Sequence, residues 1–501
     1  MIFVSVALII SACVVSYFVW NYYCRLGFVE KEFLPGPRQH FRNFLRGTPD
    51  ELLDIINLLG KHYPSPFQVW MNYIPFVVIY EPNQVKTILQ SRHCLDKNLL
   101  YKFTHSIFGM GLLTVPASES VQNRKMIASS FSPIIFQEFF DTFVEQSLLL
   151  ANKLEKVGLN GNKITFIEFI ANCAMDIACD TMGIKIESDK KDQYIKAIMR
   201  FRKILKYRMY STWILNDFLF YDCIFNWTTL GRKQQKILKL INSLTNEIIQ
   251  QYETSKLRTR QKLTEAKTNT SYKTFFDNLM ETFRKNNFTE KIIRDNVITL
   301  MVTASGKISI TLDFVIFMLA NFPEIQDKVY KELSEIYGTE MPTSAPIKYD
   351  DIQHMHYLDR VIKETMRLFP AIPITGRQLT KDMKIGKSIL PKNSNIIISF
   401  IRMNRNEEYW PNPLKFDPDR FLPERIKNHH SYYHIPFSDG PRNCIGAKYA
   451  MISMKVILAT LVRTFVFKVD ESIEINKIKL QTDIILSTTE PLKVRIEKRG
   501  L

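Results

Sequence analysis

Cys444 lies in the run Pro436-Phe437-Ser438-Asp439-Gly440-Pro441-Arg442-Asn443-Cys444-Ile445-Gly446-Ala447, which reads F-x-x-G-x-R-x-C-x-G. The run is a loop followed by an apolar helical stretch. A cysteine at a helix N-terminus meets free backbone N–H groups and the positive end of the helix dipole, and both favour its thiolate. A thiolate held in that way can be the axial ligand of a haem iron, where it pushes electron density onto the metal and favours O–O cleavage. The ordinary alternative for a lone cysteine is a buried free thiol.

The loop resembles the haem-binding signature of the cytochrome P450 haem-thiolate monooxygenases. The resemblance implies haem b as cofactor, with Cys444 as its metal ligand. Phe437 would pack under the ring. Gly440 and Gly446 would let backbone approach the sulfur and the porphyrin where a Cβ would clash. Arg442 offers a planar fork of donors to a propionate.

Other stretches carry the same resemblance. Glu364-Thr365-Met366-Arg367 is E-x-x-R in a helical pattern, and residues three apart share a helix face. Buried, Glu364 and Arg367 need each other, because an unpaired buried charge is costly. Arg420, in Phe416-Asp417-Pro418-Asp419-Arg420-Phe421, is expected to complete a structural clamp beneath the haem. Trp410-Pro411-Asn412-Pro413 stands just before it, as in the family. Arg124 falls at the arginine of the family's W-x-x-x-R motif, with Ser120 in place of the tryptophan. Arg377 follows Ala371-Ile372-Pro373-Ile374. With Arg442, both are expected to hold propionates. Leu95-Asp96-Lys97-Asn98, Gly111-Leu112-Leu113-Thr114 and the stretch Tyr194 to Gln250 are similar to the family-four clan, insect members included. That likeness implies a lipophilic substrate of the fatty acid, hormone, odorant or xenobiotic class.

The distal helix departs from the family. The expected A/G-G-x-D/E-T organises water and delivers protons to bound dioxygen. Counted back from Phe322-Pro323, this chain reads Thr303-Ala304-Ser305-Gly306-Lys307-Ile308-Ser309. Gly306 takes the acid position and Lys307 the threonine position. Thr303 stands where many family-four members carry a glutamate that links to haem, so no ester is expected. Ala304 is expected to line the distal face, and Ser305 or Ser309 to supply the hydroxyl. A neutral Lys307 would be able to ligate iron, and a charged one to pair with a substrate carboxylate.

The elements that position these residues read as mainly α with small β-sheets, the cytochrome P450 fold. A single haem domain follows an N-terminal transmembrane helix. Residues 1–24 are the anchor, 25–37 a linker with the stiff Leu34-Pro35-Gly36-Pro37 bend, and 38–501 the catalytic domain. Met1 to Tyr23 carries no charged side chain, and its length suffices to span a bilayer. Arg25, Lys31, Arg38, Arg42 and Arg46 follow it, which places the domain on the cytoplasmic side. Phe67 to Glu81 predicts two short strands broken near Asn72. Glu119 to Ala320 is mostly helical in period. Lys256 to Lys273 is polar and reads as a mobile loop, and Asp483 to Lys498 reads as a hairpin around Thr489-Glu490-Pro491.

Lys plus Arg is 67 against 50 for Asp plus Glu, a net charge of +17. That balance suits an anionic membrane or an acidic protein partner. No Lys/Arg block, zinc-finger spacing or RNA-binding signature is present, so nucleic acid is not expected. The odd set of seven scattered cysteines argues against a disulfide framework and for a reducing compartment. The resemblance completes the expectation: a single-pass endoplasmic reticulum protein that inserts one atom of O₂ into its substrate. NADPH electrons would arrive through cytochrome P450 reductase, with cytochrome b5 as a further partner. Lys125 and Lys448 are candidate docking residues. Because Gly306 and Lys307 replace the acid–alcohol pair, two alternatives stand beside it. One is a reductase-independent hydroperoxide isomerase or dehydratase, and the other a haem-bearing lipid binder that has lost its catalysis.

Overall fold

The computed structural model describes residues 11–13, 15, 16, 34–37, 52–71, 74–184, 186–214, 219, 221–266 and 275–500. Its framework includes the helices α1 (Ala117–Ala128), α2 (Phe140–Gly158), α3 (Phe166–Met182), α4 (Ser188–Ile214), α5 (Thr229–Ala266), α6 (Glu290–Asn321), α7 (His356–Leu368) and α8 (Ala447–Thr464). Among the described residues ten short strands accompany them: β1 (Phe67–Met71), β2 (Ile74–Ile79), β3 (Ile374–Gln378), β4 (Met383–Ile385), β5 (Ser388–Leu390), β6 (Asn395–Ser399), β7 (Phe465–Lys468), β8 (Leu480–Thr482), β9 (Leu486–Thr488) and β10 (Arg495–Lys498).

The helix α6 is the spine. Thr289 caps it by accepting from the Ile292 N–H, and Pro323 opens the next helix after Phe322 ends it. It is apolar nearly all round because α3, α7 and α8 pack against different sides of it. Its composition passes for a membrane span, yet its apolar stretch is mostly buried in the protein core. That burial also encloses Asp313 and pushes its carboxyl up to about 7.

The largest sheet has the order β1-β2-β6-β3, with β2 and β6 parallel and the other pairs antiparallel. Strand β6 is buried throughout, as a central strand must be. Two of the sequence expectations need correction. The C-terminal hairpin joins β8 to β9 and turns at Asp483–Ile485, not at Thr489–Pro491. Asp483 makes the turn, its Oδ1 accepting the N–H groups of Ile484 at 2.7 Å and Ile485 at 3.0 Å. Strand β10 instead pairs with β7. The polar segment from Lys256 is helical as far as Ala266, because it lacks Gly and Pro and is rich in good helix formers. Residues 267–274 of that segment lie outside the described residues. So does most of the anchor over 1–24, of which 11–13, 15 and 16 are helical.

Candidate active site

The cysteine loop is shaped by its own backbone. The Cys444 N–H donates to Phe437 O at 2.9 Å, and the Asn443 N–H to Gly440 O at 3.0 Å. Ser438 at φ 61° and Gly440 at φ 74° turn the chain tightly enough for those bonds. The loop then enters α8 through Gly446. Cys444, Phe437 and Gly446 form one part of the wall of a cavity of about 310 Å³, to which α6, β3 and the β8–β9 turn also contribute.

The two glycines differ in what requires them. A Cβ on Gly440 would lie 2.0 Å from Leu89 O, at the end of the helix Pro82–Gln90, and Gly440 does not line the cavity. Its smallness therefore serves packing against that helix, which corrects the expectation of close approach to a porphyrin. A Cβ on Gly446 would make only ordinary contact, 3.8 Å from Phe131. Gly446 does line the cavity.

Three arginines expected from the sequence reach the cavity wall together. Arg124 donates through Nη1 to Asn443 O at 2.6 Å and through Nη2 to Asn443 Oδ1, which ties it to the residue beside Cys444. Arg377 is buried on β3 and donates to Thr375 Oγ1 at 3.3 Å and to Gly376 O at 2.9 Å. Arg442 donates through Nη2 to Val115 O at 2.9 Å, while its Nη1 is buried with no partner. Burial, aided by Arg377, lowers the Arg442 guanidinium to about 10.

Sequence reasoning missed a fourth cation. Lys97 lines the same cavity, its Nζ 4.5 Å from the centre of the Tyr101 ring. Burial holds its amine well below the ordinary lysine range, and Arg377, Arg442 and Lys307 push it the same way. The available signal was the neighbour. Asn98 donates to Ile396 O at 2.8 Å, which fixes that run against β6.

Among the described residues the cavity wall holds one acidic side chain, Asp483, and Arg202 already pairs with it at 3.0 Å. Clustered cations with an orphaned guanidinium nitrogen and no free carboxylate demand an anion from outside the chain. A flat cofactor with two carboxylates beside a thiolate satisfies that demand, so the residues fit haem.

Behind the loop, Glu364 and Arg367 on α7 are fully buried. Arg367 donates through Nε to Glu364 Oε2 at 2.7 Å and through Nη2 to Oε1 at 2.8 Å, a bidentate pair. The Asp417 N–H adds a bond to Glu364 Oε1 at 3.0 Å, and Arg420 Nε stands 3.4 Å from the same oxygen. Arg367 also donates to Asn404 O at 2.8 Å and lies 5.1 Å from the Trp410 ring centre. Burial pushes the Glu364 carboxyl up, and these partners pull against it.

On α6, Ala304 and Lys307 line the cavity, whereas Ser305, Gly306 and Ser309 do not. Ser305 donates to Met301 O at 3.0 Å, and Ser309 to Gly306 O at 3.0 Å; both are buried away from the cavity. This corrects their assignment as the distal hydroxyl. The hydroxyl residues of α6 on the cavity side are Thr299, Thr303 and Thr311, which donate to Asp295 O at 2.7 Å, Thr299 O at 2.6 Å and Lys307 O at 3.0 Å. Helix geometry was the missing signal, because 304, 307, 308 and 311 share one face. A Cβ on Gly306 would meet only Ile485, at 3.9 Å.

A thiol-bearing loop, a cationic cradle and a long core helix over one cavity define the class: a haem-thiolate oxygenase. The chain belongs to the cytochrome P450 family, whose profile matches residues 35–496. Cytochrome P450 4c21 of Blattella germanica is 33% identical over 465 residues, which cover 91% of this chain and 90% of that protein. Cytochrome P450 4V2 of Mus musculus is 32% identical, covering 88% of this chain and 83% of that one. Cytochrome P450 4c3 of Drosophila melanogaster is 30% identical, covering 86% and 82%. Within the family the chain is thus a family-four cytochrome P450 monooxygenase. The solved heme domain of cytochrome P450DA shares the fold, with a TM-score of 0.77 at 19% identity over 93% of this chain and 97% of that one.

Proposed function

We propose that Cys444 is the iron ligand of a haem b whose propionates are held by Arg124, Arg377, Arg442 and Lys97. The observation that carries this reading is the cluster of cations with no free carboxylate around the wall that holds Cys444. Phe437 would pack against the ring and Gly446 would let backbone approach it, while Glu364, Arg367 and Arg420 would brace the segment behind the cysteine loop. When bound, the haem supplies the activation of dioxygen. Ala304 bounds the distal space, and Thr299, Thr303 and Thr311 are the hydroxyl residues of α6 on that wall, each able to accept a hydrogen bond from water. One oxygen atom enters a C–H bond of a lipophilic substrate. The other leaves as water, with two electrons from NADPH delivered by cytochrome P450 reductase and two protons. Cytochrome b5 is a further donor.

Residues 1–24 anchor the chain in the endoplasmic reticulum membrane, 25–37 link, and 38–501 form the cytoplasmic catalytic domain. Tyr207, Tyr221, Ile224 and Trp227 are exposed on the α4–α5 region, which suits contact with lipid. Lys125 follows Arg124, which bonds to Asn443 of the cysteine loop, and Lys448 stands in the first turn of α8, so both suit an acidic reductase.

Gly306 and Lys307 in place of the acid–alcohol pair favour one second reading, a hydroperoxide isomerase or dehydratase that needs neither O₂ nor reductase. The reduced protein with carbon monoxide is expected to show the thiolate band. NADPH consumption with reductase and a panel of fatty acids, terpenoids and steroids then tests the monooxygenase. Turnover of a lipid hydroperoxide without NADPH selects the second reading, and haem without either turnover leaves a lipid binder.

A further inference from the structure

We propose that Arg202 is a specificity-determining residue that acts by position: it docks the tip of the β8–β9 hairpin on α4 and so fixes how far Ile484 and Ile485 reach into the cavity. This deepens the proposed function and rests on it.

Arg202 lies on the face of α4 that lines the cavity, together with Ile198, Phe201 and Leu205. It donates through Nε to Asp483 Oδ2 at 3.0 Å and through Nη2 to Asp483 Oδ1 at 3.3 Å, a bidentate pair whose side chains are 23% and 11% exposed. One turn further along α4, Lys206 donates to Gln481 Oε1 on β8. Gln481 in turn donates through Nε2 to Thr488 O at 2.6 Å, across the hairpin. Two basic side chains on one face of α4 therefore grip the hairpin at two points.

The hairpin is held differently at its two ends. Its base is fixed by the buried Leu486, whose N–H donates to Ala371 O at 2.9 Å. Its tip, Asp483–Ile485, depends on the Asp483 carboxylate, which accepts the Ile484 and Ile485 N–H groups and receives Arg202 as well; Thr482 Oγ1 adds one bond to Ile485 O at 3.4 Å. Ile484 and Ile485 both line the cavity, and Ile485 is the side chain that a Cβ on Gly306 would meet, at 3.9 Å. The tip thus faces α6 where that helix carries no side chain, and the width of the cavity there follows from where the tip is held. Charges desolvated against an apolar wall add little net stability; what the guanidinium fork adds is one fixed geometry. Loss of the pair leaves the base in place and frees the tip, so the tip in its docked position favours substrates that are slim where they pass Gly306.

The test uses the purified full-length haem protein and three nitrogen ligands of its iron: imidazole, the straight-chain N-dodecylimidazole and the bulky N-tritylimidazole. Affinities are read from the ligand-induced spectral shift. The variants are Arg202→Gln and Asp483→Asn, the second of which keeps the oxygen that shapes the turn. Each is expected to move the trityl-to-dodecyl affinity ratio toward trityl by at least about threefold, the scale of a part-exposed ion pair, with imidazole binding unchanged. The double variant is expected to move it no further than the larger single change, since both residues act through one contact. Arg202→Lys is expected to keep part of the original preference. A ratio unchanged in both single variants overturns the proposal, and failure of N-tritylimidazole to bind any of the proteins counts as an unchanged ratio. Additive effects overturn it too, as does an equal gain for all three ligands, which marks loosening of the whole cavity. Where Arg202→Gln lowers haem content, Asp483→Asn decides alone. Failure of the underlying reading looks different: protein without porphyrin, or without the thiolate band under carbon monoxide.

Discussion

Gly306 and Lys307 stand where the family pattern has an acid and an alcohol, and Lys307 lines the cavity while Gly306 does not. Gly306→Asp with Lys307→Thr restores the acid–alcohol pair, and the open space beside Gly306 accommodates the added side chain. The double variant is expected to raise product formed per NADPH consumed, measured with reductase and a turned-over substrate; unchanged coupling would show that these positions do not govern proton delivery. Cys444→Ala is expected to abolish the thiolate band of the reduced carbon monoxide complex. Asp313 supplies a pH test. Burial raises its carboxyl from 3.8 to about 7, so between those values the folded protein holds a proton that the unfolded chain has released. Stability therefore falls as pH rises through that window. Asp313→Asn is expected to stabilise the protein at pH 8 by a few kcal/mol at most, on the scale of about 1.4 kcal/mol per pKa unit, and to change little at pH 4. Urea melts at the two pH values measure the difference.

Among the elements, α7 shows how much rests on one buried carboxylate. Glu364→Gln leaves Arg367 and Arg420 facing an amide. The cost expected for breaking such a pair is about 3–5 kcal/mol. Thermal melts and the haem-to-protein ratio are expected to fall together, and Glu364→Asp to lose less. This cluster was legible because E-x-x-R fixes two charges on one helix face, with a second arginine downstream. The strands β1 and β2 were legible from their β-branched and aromatic residues. The β8–β9 turn was not, because Asp483 makes it with side-chain bonds to two following N–H groups, while Pro491 looked like the stronger breaker. Ser305 and Ser309 were misjudged for a related reason. Motif position gave their place in the chain, but their rotation about α6 is set by what packs on each side. Lys97 escaped notice because its role depends on β3 and the cysteine loop, both distant in sequence.

For the whole molecule, the sequence made the helical body and the cysteine loop readable, since each is encoded by a local pattern. The cavity was not, because α6, β3, the β8–β9 turn and the cysteine loop meet only in three dimensions. The surplus of 67 basic over 50 acidic side chains has one internal share, in the cradle, and an external share available to membrane and reductase. If the external share docks the reductase, raising ionic strength is expected to slow reductase-driven turnover while leaving substrate binding intact. Stopped-flow reduction and spectral titration over the same salt range separate the two.

Gly440 rests on the carbonyl of Leu89, so the C-terminal cysteine loop is moulded against a helix end translated far earlier. During synthesis the sulfur emerges long after that helix and after the cavity cations Lys97 and Arg124. If Cys444 ligates the iron, haem capture would have to await synthesis of nearly the whole chain.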